Sequence, residues 1–247
     1  MLVYLQNSWL ALLLAAVIAY LLGSINFAII VTRLFSGKDI RSFGSGNAGA
    51  TNVLRSQGVL PAILTFVGDL GKSMLSVYIG GELLKNLQLK PGLILSSHLQ
   101  FNPIAWEWNV YSPENLALVG SYLAGICCIL GHLYPLYFGF RGGKGVMTVL
   151  GITLLLDWRS ALVLLAIFSV VVLLSRMVSL GSIVAGIIMP IITYVFRTYV
   201  YHQPWPTATF CTVAVLLMAM IVIFKHHTNI RRILDGTESK IGGKSHG

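Results

Sequence analysis

The sequence predicts an all-α integral membrane protein of about seven transmembrane helices, N-terminus outside and C-terminus cytoplasmic. Three observations carry this. Of 247 residues, 56% are hydrophobic and only 10% charged, against roughly 25% charged in a soluble domain. The apolar residues gather into stretches approaching the roughly 20 that cross a hydrocarbon core. The cations favour alternate loops.

In chain order the expected spans are Trp9–Val31, Val59–Leu84, Leu116–Phe138, Val146–Leu156, Ser160–Leu174, Leu180–Phe196 and Ala208–Phe224. The fourth and fifth are short, and could instead form a re-entrant pair or one broken helix, which is tolerated where protein buries the backbone. The opening MLVYLQNSW has no Lys or Arg ahead of the apolar run, whereas a signal peptide begins with a positive region. An uncleaved first helix follows. Nothing resembles a linker, so residues 1–247 read as a single multispanning domain.

With the N-terminus outside, the inner loops hold Arg33, Lys38, Arg41, Arg55, Arg141, Lys144, Arg176, Lys225, Arg231, Arg232, Lys240 and Lys244. The outer loops hold Lys85, Lys90, Arg159 and Arg197. Twelve against four agrees with the positive-inside rule, and Trp9, Trp106, Trp108, Trp158 and Trp205 fall toward the outer boundary, where indoles favour the interface. The outer stretch Lys85–Asn115 carries Pro91, Pro103 and Pro113 and no assignable chemistry.

The net charge of +9 is scattered over short loops rather than gathered into a stripe, which topology control and small anionic ligands explain better than nucleic acid does. Cys127, Cys128 and Cys211 lie in apolar runs without framework or zinc spacing and read as helix packers. No metal or cofactor site is expected.

Three inner segments carry polar chemistry. In Lys38–Arg55, KDIRSFGSGNAGATNVLR, glycines 44, 46 and 49 allow tight bends or close approach to a ligand, while Ser45, Asn47, Thr51 and Asn52 offer donors and Arg41 and Arg55 charge. This is either an anion-binding nest or a glycine-rich turn capping the next helix. In Gly131–Thr148, the run RGGKG (Arg141–Gly145) precedes an apolar span. Backbone donors of Gly142, Gly143 and Gly145 with the Lys144 ammonium suit a phosphate, as the positive-inside rule alone would also explain. It is no Walker A loop, because Gly145 follows Lys144. His132, a turn before Pro135, reads as packing or capping. The third segment, Lys225–Glu238, reads as a short amphipathic surface helix with His226 and Asn229 on one face. Asp69 and Lys72, three apart within a span, read as a buried ion pair. Three segments with anion chemistry on one side of the membrane imply a site for two anionic groups at headgroup level.

These motifs occur in a familiar order. Gly23-Ser24, then D-x-R-x-x-GSGN-x-GATN (Asp39–Asn52), then GH-x-x-P and F-x-GGKG (Gly131–Gly145), then H-x-x-NI-x-R (His226–Arg232) resemble the PlsY family across nearly the whole chain. That family comprises bacterial integral-membrane acyl-phosphate:glycerol-3-phosphate acyltransferases. The resemblance implies a seven-helix fold in the bacterial cytoplasmic (inner) membrane with its site facing the cytoplasm. It implies transfer of a fatty acyl group from acyl-phosphate to the 1-hydroxyl of sn-glycerol 3-phosphate, giving 1-acylglycerol 3-phosphate and phosphate, as a first step of phospholipid synthesis. Coupling to an acyl-phosphate-producing enzyme follows. Ser45, Arg55 and Lys144 would contact substrate phosphate, His226 and Asn229 would complete the active site, and the GGKG loop would hold glycerol 3-phosphate. Arg41, Gly44, Gly46, Asn47, Gly49, Thr51 and Asn52 would add contacts from the first loop. The chain departs from the pattern at Met147, where Ala is common, and in the length of Lys85–Asn115.

The general base is left open between His226, whose ordinary pKa suits the task, and the departing phosphate. The H-x4-D signature of acyl-CoA-dependent acyltransferases is absent. An organic-phosphate transporter is compatible with basic loops and an intramembrane Asp69/Lys72, but no inverted repeat of broken helices is visible.

Overall fold

The computed structural model describes residues 2–86 and 113–242; most of Lys85–Asn115, with Trp106 and Trp108, lies outside the described residues. All regular structure described is helical. Among the described residues six helical stretches are long and apolar enough to span a membrane, with Val146–Leu156 as a shorter apolar helix.

The first span is not continuous as expected. α1 (Leu2–Ser24) breaks at Ile25–Asn26, and α2 (Phe27–Ser36) restarts with Asn26 as its cap, Oδ1 accepting from Ile29 N at 3.1 Å. A side-chain acceptor beside the chain offers the backbone a second place to start a helix. After α3 (Ala50–Gln57), α4 (Val59–Lys85) and α5 (Pro113–Leu133) follow.

α5 is packed against both α1 and α4 through glycine. A Cβ on Gly80 would stand 2.6 Å from the Gly120 carbonyl oxygen, and one on Gly23 or Gly131 would land on the facing backbone of Cys128 or Tyr20. In lipid, where apolar burial drives little association, such close backbone approach supplies the packing energy.

α6 (Val146–Leu156) has 11 residues, about 16 Å of helix, roughly half the hydrocarbon core. Asp157 separates it from α7 (Trp158–Ser175) and caps that helix, Oδ1 accepting from Ser160 N at 3.1 Å. α8 (Val178–Val195) runs into a π-turn at Phe196–Val200. Arg197, read from sequence as a loop cation, is 5% exposed there and donates to the Leu156 carbonyl at 3.0 Å, closing the orphaned end of α6. Tyr201 donates to Asp157 at 2.7 Å, so Trp158 and Trp205 share this end of the bundle.

α9 (Trp205–Lys225) leads into α10 (His227–Leu234), the expected short amphipathic helix. Leu13, Leu173, Leu174 and Ile191 are all more than half exposed on the spanning helices, a surface that only lipid accommodates. The three cysteines are free and sit within helices, as expected.

Candidate active site

The three polar segments meet at the end of the bundle opposite Trp158 and Trp205. Arg41 fastens the first loop to the second. Its Nε and Nη2 grip Asp39 at 2.9 and 2.8 Å, and Nη1 donates to the carbonyls of Phe138 at 2.7 Å and Arg141 at 3.1 Å. Four of five guanidinium N–H groups are thereby used. Arg41 above all, with Arg33, holds the Asp39 carboxyl well below the ordinary carboxylate range.

Within the first loop Asn52, 3% exposed, is the organiser. Its Nδ2 faces the carbonyls of Phe43 at 2.9 Å and Asn47 at 3.1 Å, and its Oδ1 accepts from Ser45 N at 3.2 Å. Gly44, at φ +52°, lies so close that a Cβ would stand 2.5 Å from Oδ1. This inward web leaves the Ser45 side chain exposed on the loop's outer side. Gly49 caps α3 without a side chain, and the amides of Asn52 and Val53 bond its carbonyl. Among the described residues the amides of Ala50 and Thr51 are left as donors at a helix start, where an anion is favoured.

The second loop corrects one expectation. The backbone donors of Gly142 and Gly143 do not face outward: they bond the carbonyls of Leu133 at 3.1 Å and His132 at 3.2 Å. The physical reason is that α5 ends at Leu133 with its last carbonyls unpaired, and the returning loop satisfies them. Cβ atoms at Gly142 and Gly143 would land on the His132 carbonyl and ring, and Gly143 also lies beside the Ala48 carbonyl. These glycines seat the loop. Gly145, in the left-handed region at φ +85°, then turns the chain into α6 and carries Lys144 with it.

Lys144 Nζ donates to Asn229 Oδ1 at 2.5 Å, and Asn229 Nδ2 donates to Glu238 Oε1 at 2.7 Å. Glu238 also accepts from Ser179 Oγ at 2.6 Å and Arg232 Nε at 2.7 Å. Burial raises the Glu238 carboxyl, but the bonds from Ser179, Asn229 and Arg232 outweigh it and keep it below its ordinary value. Burial lowers the Lys144 ammonium to about 8; Glu238 opposes this, while Arg232 and Arg55 add to it. Arg55 is therefore close enough for its charge to act on Lys144, yet it is exposed and makes no hydrogen bond or ion pair among the described residues.

His226 is 2% exposed at the α9–α10 junction. Its Nδ1 lies 2.8 Å from the Val222 carbonyl; a carbonyl only accepts, so Nδ1 carries the proton and Nε2 presents a lone pair. Burial lowers its pKa, with Lys144 adding to the effect against the pull of Val222.

Sequence reasoning missed Glu238 as the hub joining Asn229, Arg232 and Ser179. The only signal was an acidic residue closing a basic segment. It read Asp69 and Lys72 as a buried pair, and they are one, 2.7 Å apart at 1% and 3% side-chain exposure. An apolar groove runs from Val146 and Met147, just past Lys144, between α7 and α8 to Phe168 and Met189, with Val222 on its wall.

A half-buried lysine next to an apolar groove suits a phosphorylated substrate and a lipid chain together. A family model described as Glycerol-3-phosphate acyltransferase matches residues 13–236. The chain is 39% identical to the glycerol-3-phosphate acyltransferase of Brucella anthropi, covering 95% of this chain and 96% of that protein. It is 37% identical to that of Neisseria meningitidis serogroup C, covering 93% and 96%. The crystal structure of PlsY, an integral membrane glycerol 3-phosphate acyltransferase, in its glycerol 3-phosphate form superposes with a TM-score of 0.69 at 31% identity, covering 94% of this chain and 96% of that one. Motif order, helical membrane fold and full-length similarity converge, and the chain belongs to the PlsY family of integral-membrane glycerol-3-phosphate acyltransferases.

Proposed function

We propose that the acyl donor is an acyl-phosphate, and that the enzyme transfers its acyl group to the 1-hydroxyl of sn-glycerol 3-phosphate on the cytoplasmic face of the bacterial inner membrane. The observation that carries this is the gathering of Lys144, Arg55 and Arg232 about the single carboxylate of Glu238, with Lys144 two residues before Val146 of the groove. Two phosphoryl groups, one on each substrate, need that much positive charge to be held together, and the groove suits the donor's chain.

In this reading Ser45, Arg55, Lys144 and the open amides at the start of α3 hold phosphate oxygens, while Asn229 aims the Lys144 ammonium. Gly44, Gly46 and Gly49 shape the first loop, with Thr51 and Asn47 at its edge; Gly142, Gly143 and Gly145 shape the second. Arg41 and Asn52 act behind them, through the hydrogen bonds that fix both loops. The glycerol hydroxyl oxygen attacks the acyl carbon, the bond from that carbon to the phosphate oxygen breaks, and phosphate departs with its electron pair. Acyl-phosphate is already activated, so positioning and charge supply the acceleration without a covalent enzyme intermediate. The hydroxyl proton goes to Nε2 of His226 or to the departing phosphate. The products are 1-acylglycerol 3-phosphate and inorganic phosphate, and the donor's lability calls for an acyl-phosphate-producing enzyme nearby.

Purified protein in detergent tests this. Phosphate should be released from palmitoyl phosphate only when glycerol 3-phosphate is added, and palmitoyl-CoA should not replace the donor. Lys144→Ala and Ser45→Ala should each lower the rate strongly. Full activity in both variants places the site elsewhere, and turnover with the thioester alone overturns the donor assignment.

A further inference from the structure

One buried polar cluster has no part in the chemistry above. Lys72 Nζ, deep in α4, meets three partners: Asp69 Oδ1 as an ion pair at 2.7 Å, the Ile25 carbonyl at 2.6 Å and His132 Nδ1 at 3.1 Å. The Ile25 and His132 contacts are hydrogen bonds, whereas Asp69 is held by charge, its Oδ1 having no hydrogen-bond partner among the described residues. Asp69, Lys72 and His132 are 1%, 5% and 3% exposed. A buried ion pair is seldom more stabilising than apolar residues of the same volume, and ionised groups inside a membrane are costly. Stability alone therefore does not account for the cluster.

Its three contacts lead toward the site. Ile25 lies at the break between α1 and α2, and α2 runs directly into the first loop. His132 lies in the last turn of α5 and seats the second loop: its carbonyl accepts from Gly143 N, and its ring lies against Gly143, where the Ala48 carbonyl of the first loop also converges. Because an ammonium only donates, His132 Nδ1 accepts from Lys72. That bond sets the ring's rotation and so where Gly143 can rest.

We infer that Lys72 is a positioning residue for glycerol 3-phosphate binding: through His132 and Ile25 it sets the register of the two loops and thereby the place of the Lys144 ammonium. This rests on the assignment of Lys144 to substrate phosphate. Lys72 touches no substrate itself; it fixes the floor on which the glycine–lysine loop lies.

The test replaces both charges together, since Lys72→Met alone would strand Asp69 in the bundle. Asp69→Leu/Lys72→Met should keep its thermal midpoint in detergent within a few degrees of the parent. Its KM for glycerol 3-phosphate should rise about tenfold or more, the scale of a sub-ångström to ångström misplacement, while its KM for palmitoyl phosphate changes less than about twofold. A purely structural role would move the midpoint and leave the KM values of the folded fraction alone. Should that variant not fold, Lys72→Arg, which keeps a charge against Asp69 on a bulkier head, is read by the same two KM values. An unchanged KM for glycerol 3-phosphate in the folded variant overturns the inference. Lys144→Ala separates the levels: if it too leaves that KM unchanged, the Lys144 assignment fails, whereas if it alone raises it, only the positioning role of Lys72 fails.

Discussion

Lys144 and Asn229, 85 residues apart, are joined by a 2.5 Å hydrogen bond from Nζ to Oδ1. The amide cannot simply rotate away, because its Nδ2 is held by Glu238. The acidic hub thus fixes the direction in which the glycine–lysine loop offers its charge. Asn229→Ala should lower kcat/KM for glycerol 3-phosphate on the order of a hundredfold, the size of effect seen when one oriented polar group is lost from a reacting site. Steady-state kinetics would show it, and a change under threefold would mean that Lys144 needs no guide.

The lowered Lys144 pKa has a definite sign in binding. In the empty site the ammonium titrates near 8 because burial disfavours its charge. Bound phosphate favours the charge, so the complex titrates higher and binding takes up a proton between the two values. Affinity for glycerol 3-phosphate should therefore fall as pH rises above about 8, by up to about tenfold per pH unit. The ligand's own second ionisation, near 6, is complete by then. Lys144→Arg should abolish this limb, since a guanidinium stays charged. Arg55→Ala should move it to higher pH while weakening binding. Calorimetry between pH 7 and 9.5 measures both.

In the proposed reaction the hydroxyl proton goes to His226 or to the departing phosphate, and one substitution tells them apart. With Nδ1 committed to Val222 and its pKa lowered by burial, the ring is neutral at neutral pH and Nε2 is free to accept. If it is the sole base, His226→Ala nearly abolishes turnover and removes the acid limb of the pH–rate profile. Substantial rate with an unchanged profile assigns the proton to the departing phosphate.

Asp39 contributes acid-sensitive stability. Its carboxyl is held below the ordinary range by Arg41 and Arg33, so the contribution is whole above the unfolded value of about 3.9 and is lost as pH falls further toward the folded one. The groups are partly exposed, at 26% for both Asp39 and Arg41, so solvent screening holds it to about 1–2 kcal/mol. Asp39→Asn should lower the thermal midpoint at pH 7 and flatten its decline below pH 4.

Glycine substitutions separate seating from strain. At Gly143 a Cβ would stand 2.5 Å from the Ala48 carbonyl and strike the His132 ring; Gly143→Ala should cost about 1–3 kcal/mol and raise KM for glycerol 3-phosphate. Gly71, on α4 with nothing within 4 Å and no positive φ, is the control. Gly71→Ala should leave kinetics unchanged and raise stability by up to about 1 kcal/mol. Thermal melts and kinetics on the pair check this.

Much of the candidate site was legible in the sequence, though for uneven reasons. Gly145, Lys144, His226 and Asn229 stand out by type in short polar windows, and all reach one end of the bundle. Arg41 and Asn52 looked like ligands for the same reason, yet their donors close on Asp39, Phe138 and Asn47. Residue type cannot show whether a donor faces outward or in. Gly142 and Gly143 misled similarly, because the need of α5 for partners at its end is visible only once the loop returns over it.

The spacing of apolar and charged residues along the chain determined by itself that this protein lives in a bilayer, roughly where its helices run, and which three segments are rich in cations, glycine and small polar residues. Each of those is a property of a short window, governed by transfer from water to lipid. The break at Asn26, the Lys72–His132 contact and the joining of Lys144 to Glu238 through Asn229 were decided only by the tertiary structure. They depend on distances between side chains far apart in sequence, and glycine-to-backbone packing of α1, α4 and α5 sets those distances.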